Sequence, residues 1–195
     1  MSAIFIHIPK TGGTSIMRGY RDHRGVTLAY AGHSSALHVR KRWPDKFKRS
    51  WKFAFVRNPW AHAVSWFFFR SKKTKGMPAA ILKADLPTLQ RMFREWLEQY
   101  GHDHIGKQDR NFHTMLCDTE GKLMVDHVYR FEEYGFAWKD IANHLGVPGK
   151  PEIHENHDRR RPPIPYQELY DDFCRGYVQG VQWWVIQEYG YSFED

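Results

Sequence analysis

The chain has 195 residues, 42% of them apolar and 16% aromatic, and its 29 Lys and Arg outnumber 22 Asp and Glu for a formal net charge of +7. That length and composition exclude an intrinsically disordered chain and fit one globular domain spanning 1–195. Two cysteines are too few for a disulfide framework or a thiolate metal site, and no apolar run is long enough to cross a bilayer. The expectation is therefore a soluble, cytoplasmic protein without a transmembrane segment.

The first predicted element is a strand, Ile4 to Ile8. It breaks at Pro9 into Lys10-Thr11-Gly12-Gly13-Thr14-Ser15 and resumes with helical spacing from Thr14 to Arg21. Strand, glycine turn and helix start together make an anion cradle. Glycines let backbone N–H groups converge on one oxyanion, the helix N-terminus adds partial positive charge, and Lys10 with three hydroxyls adds donors. The common nucleotide loop, G-x-x-x-x-G-K-[ST], has its lysine after the glycines, whereas here the lysine comes first.

A short strand, Thr27 to Tyr30, follows, then Ala31-Gly32-His33-Ser34 and a helix from Ser35 to Arg42. His33 should emerge at the same sheet edge as Lys10, where it is a candidate general base; a capping or structural histidine is the alternative. The next strand, Phe53 to Val56, runs into Arg57-Asn58-Pro59 and a helix from Ala61 to Arg70. Asn58 suits an N-cap and Pro59 the first helical position. Arg57 ends the strand and Ser65 lies about two turns into the helix, so both could reach one phosphate, for which the planar arginine fork is well shaped.

Ser71 to Leu86 reads as a loop, and helical spacing returns over Leu89 to Tyr100 and Tyr170 to Tyr189. The βαβαβα order of the first half implies a parallel sheet with helices on both faces. Ligands of such folds bind beyond the carboxyl ends of the strands. His102, His104, His154 and His157 offer ligand types without a specific metal spacing, so no metal is expected.

Pro9 to Ser15 and Arg57-Asn58-Pro59 through Ser65 together resemble the sulfotransferases that use 3′-phosphoadenosine 5′-phosphosulfate (PAPS), in order and in spacing. Val125 to Glu132, Ile141 to Val147 and the terminal Tyr189-Gly190-Tyr191-Ser192-Phe193 are similar to its carbohydrate, Golgi-like branch, known as family 2. The resemblance implies a P-loop-like, three-layer α/β fold with a central parallel sheet. It implies PAPS as donor and 3′,5′-adenosine bisphosphate as product. Lys10, Thr11, Gly12, Gly13, Thr14 and Ser15 would hold the 5′-phosphosulfate, with Lys10 helping the leaving group. Arg57 and Ser65 would hold the 3′-phosphate, and His33 would be the base. The acceptor it implies is a hydroxyl, or an amine, of a carbohydrate or glycolipid. Glu155 to Pro163 is similar to a basic loop that closes over the nucleotide in relatives.

Two other readings compete with this one. A P-loop small-molecule kinase lacks support, because the G-K-[ST] order is missing and no Mg²⁺-holding aspartate follows a strand. Basic clusters at Arg40 to Arg42, Lys46 to Arg49, Arg70 to Lys75 and Arg159 to Arg161 would suit a nucleic-acid-binding module. That module would not explain two anion loops at strand-to-helix junctions, and no nucleic-acid partner is expected.

Overall fold

The computed structural model describes residues 2–20, 27–29, 31–71, 80–81, 83–107, 110–147 and 164–195. Most of the expected loop after Ser71 and the whole basic segment from Glu155 to Pro163 lie outside them. In chain order the elements are β1 (Ser2–Ile6), α1 (Gly13–Tyr20), β2 (Thr27–Ala29), α2 (Ala36–Arg42), α3 (Pro44–Arg49), β3 (Trp51–Val56), α4 (Pro59–Ser71), α5 (Leu86–Gly101), α6 (Phe112–Leu116), β4 (His127–Arg130), α7 (Tyr134–Leu145), α8 (Asp172–Val181) and α9 (Trp183–Tyr189). The chain divides into two compact units, Met1–Arg57 with Gln108–His157 and Asn58–Lys107 with Asp158–Asp195.

The first unit is an α/β sheet structure. Its four strands are all parallel in the order β2-β1-β3-β4. β1 and β3 are apolar at successive positions because both of their faces are covered, as parallel strands flanked by helices require. Phe5 pairs with Phe53 and Val56 with Arg130, so β1, β3 and β4 end close together. One face carries Phe5, Phe53, Phe55 and Tyr129, packed with Ile16 and Tyr20 of α1 and Trp138 and Ile141 of α7. Tyr20 brings its polar end into that core without penalty, because its hydroxyl donates to the Trp138 carbonyl at 2.5 Å. From the opposite face of β3, Lys52 reaches the ring of Phe47 in α3, its ammonium 5.3 Å from the ring centre.

The start of β4 is fixed by a reciprocal pair: Lys52 N–H donates to the Asp126 carboxylate at 2.7 Å, and Asp126 N–H to the Lys52 carbonyl at 2.8 Å. Ser35 caps α2 by accepting from His38 N–H, and Gly146 ends α7 in the left-handed conformation.

The second unit is helical in its described residues. Asn58 caps α4 as the sequence suggested, its side-chain oxygen accepting from Trp60 and Ala61 N–H at 3.0 and 3.1 Å. Its amide nitrogen donates to the Ser192 carbonyl at 2.9 Å and ties down the C-terminal segment. The ring of His104 lies nearly parallel to both Trp66 and Trp96, with centres 5.1 and 5.6 Å away.

Two expectations about helices change. Pro44–Arg49 is a helix that the sequence reading did not include. The single helix expected over Tyr170 to Tyr189 is instead two, α8 capped by Asp171 and α9 following a break at Gln182. Gln182 is buried, and its side chain donates to the Ile105 carbonyl at 2.5 Å. A buried carbonyl in the π-helical turn His102–Gly106 is satisfied in this way, and the helical run is interrupted where that side chain is drawn in.

Gly19 of α1 faces the indole of Trp138 so closely that a Cβ there would stand 2.2 Å from the ring. Gly19→Ala should therefore lower stability by about 1–3 kcal/mol through overpacking, despite alanine's better helix propensity. Urea unfolding would show it as a lower midpoint with an unchanged slope.

Candidate active site

The strand order places a reversal between β1 and β3: the chain leaves β1 outward to β2 and returns past β1 to form β3. In open α/β sheets the crevice at such a reversal, beyond the carboxyl ends of the strands, is where ligands bind. The segments that leave β1 and β3 at this point are His7 to Gly12 and Arg57.

The loop after β1 is built by two left-handed residues, Lys10 at φ 68° and Gly12 at φ 81°. Glycine adopts that conformation freely, but for lysine it costs about 1–2 kcal/mol. Thr11, between them, is fully buried and its hydroxyl donates to the Ile8 carbonyl at 2.8 Å, so Thr11 has its backbone to offer a ligand. Ser15 N–H closes the turn onto the Gly12 carbonyl at 3.0 Å. α1 begins at Gly13, leaving the Gly13 and Thr14 amides at the positive end of the helix. Thr14 is partly exposed there, while Ser15 is buried.

Neither glycine of the pair tolerates a side chain. A Cβ at Gly13 would stand 2.2 Å from the His7 ring, and one at Gly12 would meet Phe131 and Tyr134 at 2.9 Å. Tyr134 also donates its hydroxyl to the Gly12 carbonyl at 3.3 Å. The loop thus rests on His7 on one side and on two aromatics from the β4-α7 connection on the other.

Arg57 comes to the same loop. Its Nη1 donates to the Lys10 carbonyl at 3.1 Å, and its guanidinium carbon lies 4.5 Å from the centre of the Phe131 ring. His33 is exposed on the segment after β2, and its Nδ1 donates to the His7 carbonyl at 3.2 Å. A carbonyl can only accept, so Nδ1 carries the proton and the lone pair of the neutral ring is on Nε2. Lys10, His33 and Arg57 therefore belong to one unit and one end of its sheet, whereas Ser65 stands on α4 of the second unit, partly exposed.

A family model described as "Sulfotransferase family" matches residues 2–163. The chain belongs to the sulfotransferase family. It falls in the carbohydrate, family-2 branch that its motifs resemble, and sulfuryl transfer is the chemistry of that family. No curated protein and no solved structure matches the chain.

In this sulfotransferase Lys10, the Gly13 and Thr14 amides and Arg57 gather at the reversal, an arrangement able to accept anionic groups. Among the described residues no group of three or more His, Cys, Asp or Glu side chains could hold a metal ion, and no helix is long and apolar enough to cross a membrane. Trp60 is a core residue of the second unit, its indole N–H donating to the Arg175 carbonyl.

Sequence reasoning passed over Phe131 and Tyr134. Their signal was present in the register of β3 and β4, which the sequence does not display.

His7 is buried, stacks on Phe5 and tilts against His33 with ring centres 5.2 and 4.6 Å away. Burial, with the like charge of His33 added, pushes its pKa down to about 3. Between that value and the ordinary 6.5 the unfolded chain binds more protons than the folded one at this site, so acidification through the window destabilises the fold. His7→Phe removes the titration while keeping a ring. The wild type should lose stability relative to the variant on going from pH 6.5 towards pH 3, by up to about 1.4 kcal/mol per pH unit. Denaturant unfolding of both proteins at stepped pH measures this, and parallel curves would show that His7 titrates normally.

Proposed function

We propose that this sulfotransferase moves the sulfuryl group of PAPS to a hydroxyl of a carbohydrate or glycolipid acceptor, an amine being the variant chemistry. The observation that carries the reading is the lysine-first loop lying at the β1-β3 reversal, with Arg57 bonded to the carbonyl of that lysine. The whole of 1–195 acts as one catalytic domain, since each compact unit is assembled from two separate stretches of chain.

PAPS supplies an activated sulfuryl group attached through oxygen to a 5′-phosphate. The acceptor oxygen forms a bond to sulfur in line with the bond that breaks, and the bridging oxygen departs with the 5′-phosphate. As in phosphoryl transfer, the protein's part is to position the partners and to neutralise charge. The Lys10 ammonium meets the negative charge growing on the bridging oxygen. Amides of Thr11, Gly12, Gly13 and Thr14, with the Thr14 and Ser15 hydroxyls, hold the phosphate. Arg57 is assigned to the 3′-phosphate; Ser65 joins it on the motif spacing. His33 takes the acceptor proton on Nε2, the nitrogen left basic by the Nδ1 bond to the His7 carbonyl.

Thermal stabilisation by 3′,5′-adenosine bisphosphate, compared with Mg-ATP and with 5′-AMP, tests the donor. The bisphosphate should give the largest shift, and a preference for Mg-ATP would overturn the reading. Lys10→Ala should lower turnover by about 10²–10³-fold, as loss of a charge-stabilising group does, while changing bisphosphate affinity much less. His33→Ala retaining full activity in the same assay, run with labelled PAPS, would place the base elsewhere.

A further inference from the structure

Because Val56 pairs with Arg130, the next residues of each strand, Arg57 and Phe131, leave the sheet side by side. The ring face of Phe131 carries the Arg57 guanidinium, and Arg57 in turn donates to the Lys10 carbonyl at 3.1 Å. The edge of the same ring sits beneath Gly12, where a Cβ would stand 2.9 Å from Phe131 Cε2 and 3.2 Å from Cδ2. Tyr134, three residues on, donates to the Gly12 carbonyl. The short arc from Lys10 to Gly12 is thus gripped at both carbonyls and underneath.

Lys10 is also the one non-glycine residue with positive φ among the described residues. A backbone outlier of this kind persists where its surroundings over-determine it, and here the surroundings are Arg57, Phe131 and Tyr134. A lysine in place of Arg57 would not serve, because only a planar guanidinium can lie flat on a ring and present an in-plane N–H to a carbonyl at once.

We propose that Arg57 and Phe131 form a brace that holds Lys10 in its left-handed backbone conformation, making both of them positioning residues for the catalytic lysine. Phe131 lies outside both cofactor motifs, and Arg57 gains a function separate from any phosphate it binds. The inference rests on the reading of Lys10 as the group that stabilises the leaving oxygen. Its structural content, that the brace sets the loop, holds in the protein without ligand.

Hydrogen exchange of the segment 8–16, in protein without nucleotide, reads the brace directly. Arg57→Lys and Phe131→Leu should each raise exchange at the Ser15 amide, whose partner is the Gly12 carbonyl, by tenfold or more while leaving β1 and β3 protected. Phe131→Tyr, which keeps the ring face, should retain protection. Unchanged Ser15 exchange in both variants, or a Ser15 amide already unprotected in the wild type, would overturn the proposal. A second measurement separates positioning from phosphate binding. If Arg57 served the 3′-phosphate alone, Arg57→Lys would weaken the bisphosphate and leave 5′-AMP untouched. The brace predicts that both ligands weaken, and that Phe131→Leu, which removes no phosphate donor, weakens the two alike by three- to tenfold and lowers kcat by more. Binding of neither nucleotide to the wild type would sink the PAPS reading and leave the exchange result to decide the brace.

Discussion

β1 and β3 pair directly in parallel although β2 and three helices lie between them in the chain, and that pairing decides where the chemistry can sit. It forces the chain to leave β1 in one direction and come back past it, so the segments after β1 and β3 diverge and leave their polar backbone open between them. Lys10 follows β1 and Arg57 follows β3. His33 comes instead from the segment after β2, tied back to β1 by its bond to the His7 carbonyl. The strands hold that position because Phe5, Phe53 and Phe55 fill one face, while Ile4, Ile6, Ala54 and Val56 are buried on the other. At about 25 cal/mol per Å² of apolar surface, a set of fully buried aromatic and branched side chains is the main force holding the strand ends in register.

Lys10 and Arg57 bring positive charge to the loop, while the His7 ring packed against Gly13 is kept neutral by its burial. A charged imidazole there would add to the repulsion among cations and would have no water to solvate it. The His7 carbonyl is used at the same time to orient His33. One residue thus touches His33 through its main chain and the loop after β1 through its side chain, which lies against Gly13.

The strands and their junctions were legible in the sequence because each has a local cause. Apolar runs ending at Pro9 and at Arg57, a paired glycine turn, and the Asn58-Pro59 helix start all speak through neighbours in the chain. The split at Gln182 was not legible, since it depends on a carbonyl at Ile105 far away in sequence. Nor was the short helix Pro44–Arg49, too brief to show a period. The site was readable to the same extent. Lys10 and Arg57 stand out by motif order, whereas Phe131, though it lies in the Val125 to Glu132 stretch, and Tyr134 carry no sequence cue to the loop they pack against. What brings Phe131 to Arg57 is a strand register, and what makes Gly12 indispensable is an aromatic edge contributed from more than a hundred residues away.

The left-handed backbone at position 10 sets folding and chemistry against each other at a single residue. For the fold alone, glycine would be the better choice there, relieving the strain that a lysine side chain imposes. On the role proposed for Lys10, sulfuryl transfer draws on the ammonium, and the position carries a standing cost in stability in return for function. Screens of this chain for thermostable variants would drift towards losing Lys10, and the most stable loop it could have is an inert one.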